Sequence, residues 1–121
     1  MPIEIPKSFQ LLGHTYKVEI SDKLYEDEQL YGDCDVEKKL IRIQSTGPVN
    51  RVYPKTKKVE VIDITEQDLL ETFYHELVHA ILYSMGEEKL FCDEKFVGLM
   101  GRCLMESLTN FNNVNKKTEN N

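Results

Sequence analysis

His75, Glu76 and His79 form the pattern His-Glu-x-x-His within Thr72-Phe-Tyr-His-Glu-Leu-Val-His-Ala-Ile-Leu-Tyr83. On a helix of ~3.6 residues per turn the two histidines fall one turn apart on one face, so both imidazoles can reach a single metal ion. Glu76, turned by ~100°, projects beside them and can hold a water on that metal instead of ligating it. The chemistry this suggests is hydrolysis by a metal-activated water, and it requires a helix over the whole stretch. A wheel started at Leu69 puts Leu69, Leu70, Phe73, Leu77, Ala80 and Ile81 in one sector. Asp68, Thr72, His75, Glu76, His79 and Tyr83 fall in the opposite sector, so the histidines share a polar stripe suited to lining a cleft. Val78 and Leu82 extend the apolar surface, which predicts a mostly buried helix. Thr65 suits its N-cap, Glu66 and Asp68 its first turn, and Gly86 its stop. Two histidines one turn apart also occur on merely solvated faces. Here two of the chain's three histidines sit in the pattern, inside an apolar helix, which favours a metal site.

A catalytic zinc takes three protein ligands and keeps one position for water, so a third donor is needed. The extended metzincin pattern would place a Gly and a further His downstream, where this chain has Leu82 and Met85. The leading candidates are carboxylates at the start of a second helix, Glu94 and then Asp93. Glu94 also reads as an ordinary first-turn acid favoured by the helix dipole. His14 is remote in sequence and better suited to the surface near a turn, and Cys34, in Gly32-Asp-Cys-Asp35, is a weaker candidate.

Several elements must position these groups. Residues 3–20 alternate around Leu12-Gly13-His14 and predict a β-hairpin. Residues 21–31 are acidic and mixed, a short helix or an irregular connection, and Gly32-Asp33 marks a turn. Val36–Gln44, with Leu40, Ile41 and Ile43, predicts a strand. Residues 45–58, with two prolines and a glycine, read as a long loop, and Val59–Ile64 as a strand leading into the first helix. After Gly86, Asp93 suits the N-cap of a second helix carrying Phe96, Val97, Met100, Cys103, Leu104 and Leu108. Gly98 and Gly101 give that helix a small-residue patch that allows close approach to the first. The fold class is α+β: a small antiparallel or mixed sheet packed on the His-Glu-x-x-His helix and a following C-terminal helix. One domain spans residues 1–108, and the Asn-rich residues 109–121 are expected to be a disordered polar tail.

Composition narrows the partners. The net charge is −6 and the only Lys cluster is Lys55-Thr-Lys-Lys58, which argues against nucleic acid. No apolar run approaches the ~18 residues of a membrane span, and the N-terminal stretch lacks a secretory pattern, so a cytoplasmic protein is expected. Cys34, Cys92 and Cys103 are an odd number without C-x-x-C spacing and read as free thiols, with Cys103 in the core.

The run His75–Gly86 followed by Asp93-Glu-Lys-Phe-Val97 resembles the small zincin-type metallopeptidase domains of phages and prophages, related in pattern to the ImmA/IrrE-like and SprT-like groups. The resemblance covers residues 65–108 and implies a minimal zincin-like fold with a gluzincin-like centre. Zinc would be held by His75, His79 and Glu94, with Glu76 as general base and a protein or peptide as substrate, in the host cytosol if the chain is phage-encoded. ImmA/IrrE-like members carry Glu-x-x-Ala-Asn around the third ligand; this chain has Asp93-Glu94-Lys95-Phe96, so Glu94 against Asp93 stays open. In that chemistry zinc lowers the pKa of its water toward ~7 and Glu76 moves the proton to the leaving amine. Tyr83, Tyr74 or Tyr53 could assist the oxyanion, and the strand Leu40–Gln44 could hold an extended substrate if its edge is free. The competing expectations are a catalytically inactive zinc-binding or interaction module, and an interaction protein without metal.

Overall fold

The first apolar run folds back on itself as its alternation predicts. β1 (Ser8–Leu11) pairs antiparallel with β2 (His14–Ser21) across Leu12-Gly13. Both turn residues have positive φ, the requirement of a two-residue type I′ connection. The structure, a computed structural model, describes residues 5–119, with side chains through Phe111 and at Asn113. The expectations for residues 3 and 4, and for the last two residues of the chain, lie outside the described residues.

From β2 the chain passes through α1 (Leu24–Glu28) and β3 (Gly32–Asp35) to β4 (Leu40–Gln44). β4 lies parallel to β2 and antiparallel to β3, giving the order β1-β2-β4-β3. Two expectations are corrected here. Gly32-Asp33 is not a turn but the start of β3, and the supposed loop 45–58 contains β5 (Gly47–Val52), paired with β6 (Val59–Ile64) in a separate hairpin. Gly and Asp are poor strand formers alone, but β3 is held by a full register on β4, with Asp33 opposite Arg42. Pro48 reads as a breaker, yet a strand of a two-stranded sheet has a free edge that needs no N–H.

β6 leads into α2 (Glu66–Ser84), which begins at Thr65 as predicted. Thr65 Oγ1 accepts from the Asp68 N–H at 3.1 Å while Asp68 Oδ2 accepts from the Thr65 N–H at 2.9 Å, a closed capping box. Gly86, at φ +76°, follows its end. The principal core joins Ile41 and Ile43 of β4 to Phe73 and Tyr74 of α2, with Met105 from the last helix. A second cluster joins Val78 and Leu82 to Val97. The architecture is therefore α+β, a mixed sheet backed by helices.

A single turn, α3 (Glu88–Phe91), links α2 to α4 (Glu94–Glu119). Asp93 caps α4, its Oδ1 accepting from the Phe96 N–H at 3.1 Å. Two further corrections concern α4. It runs on to Glu119 where a disordered tail from residue 109 is expected, because extending an existing helix costs far less than starting one. Cys103 is exposed, not core: the face of α4 turned inward carries Val97, Gly101 and Met105 instead.

The small-residue patch does what its sizes allow. A Cβ at position 101 would stand 3.1 Å from the His75 backbone nitrogen and 3.2 Å from its Cα, so α4 rests directly on the backbone of α2 at the first histidine. At position 98 the same atom would meet only His75 Nδ1, at an ordinary 3.9 Å. Gly101→Ala should therefore cost about 1–3 kcal/mol in urea unfolding through overpacking. Gly98→Ala should be neutral or stabilising by up to ~1 kcal/mol through helix propensity. Equal effects at the two positions would rule out the close crossing.

Candidate metal centre

The stripe predicted on α2 forms the floor of a cleft of about 600 Å³, with residues 29–34 as one wall and Phe91 and Glu94 as the other. His75 and His79 face each other with ring centroids 5.1 Å apart and planes inclined by 63°. Glu94, the first residue of α4, reaches back over both. Its Oε2 lies 2.9 Å from His75 Nε2 and its Oε1 3.0 Å from His79 Nε2. One ligand atom from each of the three residues falls within 4.8 Å of the others, the only such group among the described residues. Asp93, the other carboxylate candidate, is turned away into its helix cap.

The donor set fits a divalent cation. Burial pushes the His79 imidazole below its ordinary value even though Glu94 acts to raise it, so the ring is neutral at pH 7, the form that can ligate. The contact with Glu94 is then a hydrogen bond, not an ion pair. His79 Nδ1 is buried without a hydrogen-bond partner among the described residues. This is the nitrogen that carries the proton when Nε2 binds a metal. The Phe91 ring packs edge-on against His79 at 4.9 Å and fixes its orientation.

Glu76 projects beside the pair as its position on the helix demands. It is 7% exposed, and its pKa is pushed up to about 8, first by burial and then by the nearby Asp33 and Glu94 carboxylates. β3 comes close enough to do this because residue 32 is glycine: a Cβ there would overlap the Thr72 methyl and stand 3.4 Å from Glu76 Cγ.

Comparison with family models, curated proteins and solved structures finds no match. No helix among the described residues is long and apolar enough to cross a membrane.

Other expectations fare differently. His14 is exposed at the start of β2 and takes no part. Cys34 lines the cleft but is not among the three residues whose ligand atoms converge, and burial, with Glu76, Asp33 and Asp35 adding, pushes its thiol up to about 12. None of the three tyrosines suggested for the oxyanion lines the cleft. Tyr74 is core, Tyr53 donates its hydroxyl to Glu60 Oε2 at 2.6 Å in the β5–β6 hairpin, and Tyr83 lies on the far side of Phe91. Tyr31 lines it instead. Arg51 of β5 holds it, donating from Nη2 to Tyr31 Oη at 3.1 Å and from Nε to Tyr25 Oη at 2.9 Å. β4 is an interior strand and cannot accept a further strand; the edge strand that lines the cleft is β3. Only topology distinguishes β3 from β4, and nothing around Tyr31 in the sequence marks it.

The buried Glu76 makes stability depend on pH. Below its ordinary value of 4.5 the carboxyl is protonated in both folded and unfolded chains. Between there and about 8 the unfolded chain ionises while the folded one keeps its proton, so stability falls as pH rises through that window. Metal-free Glu76→Gln should thus match wild type at pH 4 and exceed it at pH 8.5 by more than about 1 kcal/mol in urea unfolding, the equivalent of one pKa unit. A difference that is constant with pH would contradict the raised pKa.

Proposed function

We propose that the chain is a zinc-dependent peptidase that hydrolyses a peptide bond in an extended protein or peptide segment lying along β3 (Gly32–Asp35). The observation that carries this is the convergence of His75, His79 and Glu94 at the base of an open cleft, with the buried Glu76 carboxyl beside them. Two imidazoles and one carboxylate match the ligand set of catalytic zinc, and all three donors line the open cleft. Zinc bound there would supply a Lewis acid, acidifying water and polarising the scissile carbonyl.

The chain's own residues do the rest. Glu94 spans the two imidazoles and holds them at one separation. Phe91 keeps His79 from turning and keeps bulk water off its ring. Glu76 carries a pKa raised into the working range of a general base, and a cation alongside would draw it back toward neutrality. It takes the proton of the water whose oxygen attacks the carbonyl carbon. It then returns that proton to the nitrogen as the carbon–nitrogen bond breaks. The free edge of β3 offers main-chain hydrogen bonds to an extended substrate, and Leu30 and Tyr31 give the cleft an apolar wall. The pattern His75–Gly86 resembles that of zincin-type domains of phages and prophages, and on that resemblance the proposal includes kinship with them.

Glu76→Gln decides between this and a purely structural zinc site. The zinc-loaded wild type should cleave a mixed peptide pool, and Glu76→Gln should keep its zinc while losing at least about 10²-fold in rate. Equal cleavage by the two proteins would remove Glu76 from the chemistry.

A further inference from the structure

Four carboxylates line the cleft, Asp33, Glu71, Glu76 and Glu94, and no Lys or Arg lines it among the described residues. Three of the four are committed. Glu94 bridges the imidazoles, and Glu76 is buried beside them. Asp33 is gripped by the Arg42 guanidinium through two hydrogen bonds, and Glu28 completes that ion cluster at 2.9 Å. Glu71 is left. It sits on α2 four residues before His75, on the same stripe and half-exposed at the cleft. Its nearest cation is Arg102 at 3.7 Å, too far for a hydrogen bond, and that side chain is 64% exposed and free to leave.

We propose that Glu71 determines specificity: the substrate carries a Lys or Arg side chain whose cationic head pairs with this carboxylate. Four residues of helix advance about 6 Å along α2, the span of roughly two residues of extended peptide. For a segment that runs beside α2, the basic residue therefore lies within about two positions of the scissile bond. The proposal rests on the peptidase reading of the cleft and adds to it the class of substrate. The same carboxylates that make the cleft attractive to a cation make it repel an acidic peptide, so the choice works in both directions.

Mass spectrometry of the products from a mixed peptide pool tests it with zinc-loaded wild type, Glu71→Gln and Glu71→Lys. Wild type should show Lys and Arg enriched roughly three- to fivefold at one position within two residues of the cut, the yield of a partly exposed ion pair. Glu71→Gln should lose that enrichment, and Glu71→Lys should replace it with Asp and Glu. A second readout needs no turnover. Zinc-loaded Glu76→Gln should bind a Lys-containing peptide hydroxamate roughly three- to fivefold more tightly than its norleucine counterpart, and the gap should close when Glu71 is also Gln. Cleavage or hydroxamate binding with no dependence on residue 71 overturns this proposal and leaves the peptidase standing. Absence of both zinc uptake and cleavage overturns the two together.

Discussion

The structure depends on the contact between two helix backbones. Where α4 crosses α2, Gly101 lies against the backbone of His75 with no room for a side chain. That crossing fixes how far the N-terminus of α4 stands from the polar stripe of α2, and so fixes Glu94 over the two imidazoles. A methyl group at the crossing would spread the helices by a few tenths of an ångström at least. A three-residue donor set tolerates little of that, since ligand distances vary by only ~0.2 Å in good metal sites. Asp93 contributes from the other side: by capping α4 it sets where the helix starts, and Glu94 is then the first residue able to turn back over the cleft.

The other wall obeys the same rule. Gly32 lets β3 approach α2 until Thr72 and Glu76 touch it. The result is a carboxyl group buried between two elements, close to the carboxylates of Asp33 and Glu94. Such an arrangement works against folding, and the molecule offsets part of it locally by clamping Asp33 with Arg42. Sites where local rules are broken in this way are where function is expected, because a cation bound among the acids turns mutual repulsion into attraction. The β5–β6 hairpin, through Arg51, reaches the same wall at Tyr31.

Much of this was legible in the residues and some was not. The period of α2 predicted its cap at Thr65, the shared face of His75 and His79 and the burial of Phe73 and Ala80, because a long amphipathic helix repeats its signal many times, but not the burial of Tyr74 or of Glu76 and His79 on the polar stripe. The close crossing could also be read at Gly101, since small residues on an apolar helix have few other uses, whereas Gly98, read in the same patch, meets only ordinary contact. β3 could not: Gly32-Asp-Cys-Asp35 has the composition of a turn, and only its register on β4 makes it a strand. β5 was hidden by Pro48 for a similar reason. The position of β4 inside the sheet follows from chain topology, which local pattern does not carry, and with it went the wrong choice of edge. Tyr31 was missed because its role comes from Arg51, twenty residues on, and the exposure of Cys103 because an apolar stripe on α4 is wider than the face α2 covers.

Metal content of protein purified without chelator tests the centre most directly, measured on wild type, Glu94→Ala and Asp93→Ala. We expect one zinc per chain in wild type, retention in Asp93→Ala despite the lost cap, and a 10-fold or greater loss of affinity in Glu94→Ala. Wild-type protein that takes up no zinc, or a Glu94→Ala variant that binds it as tightly as wild type, would contradict a cation held between the two imidazoles and the first carboxylate of α4.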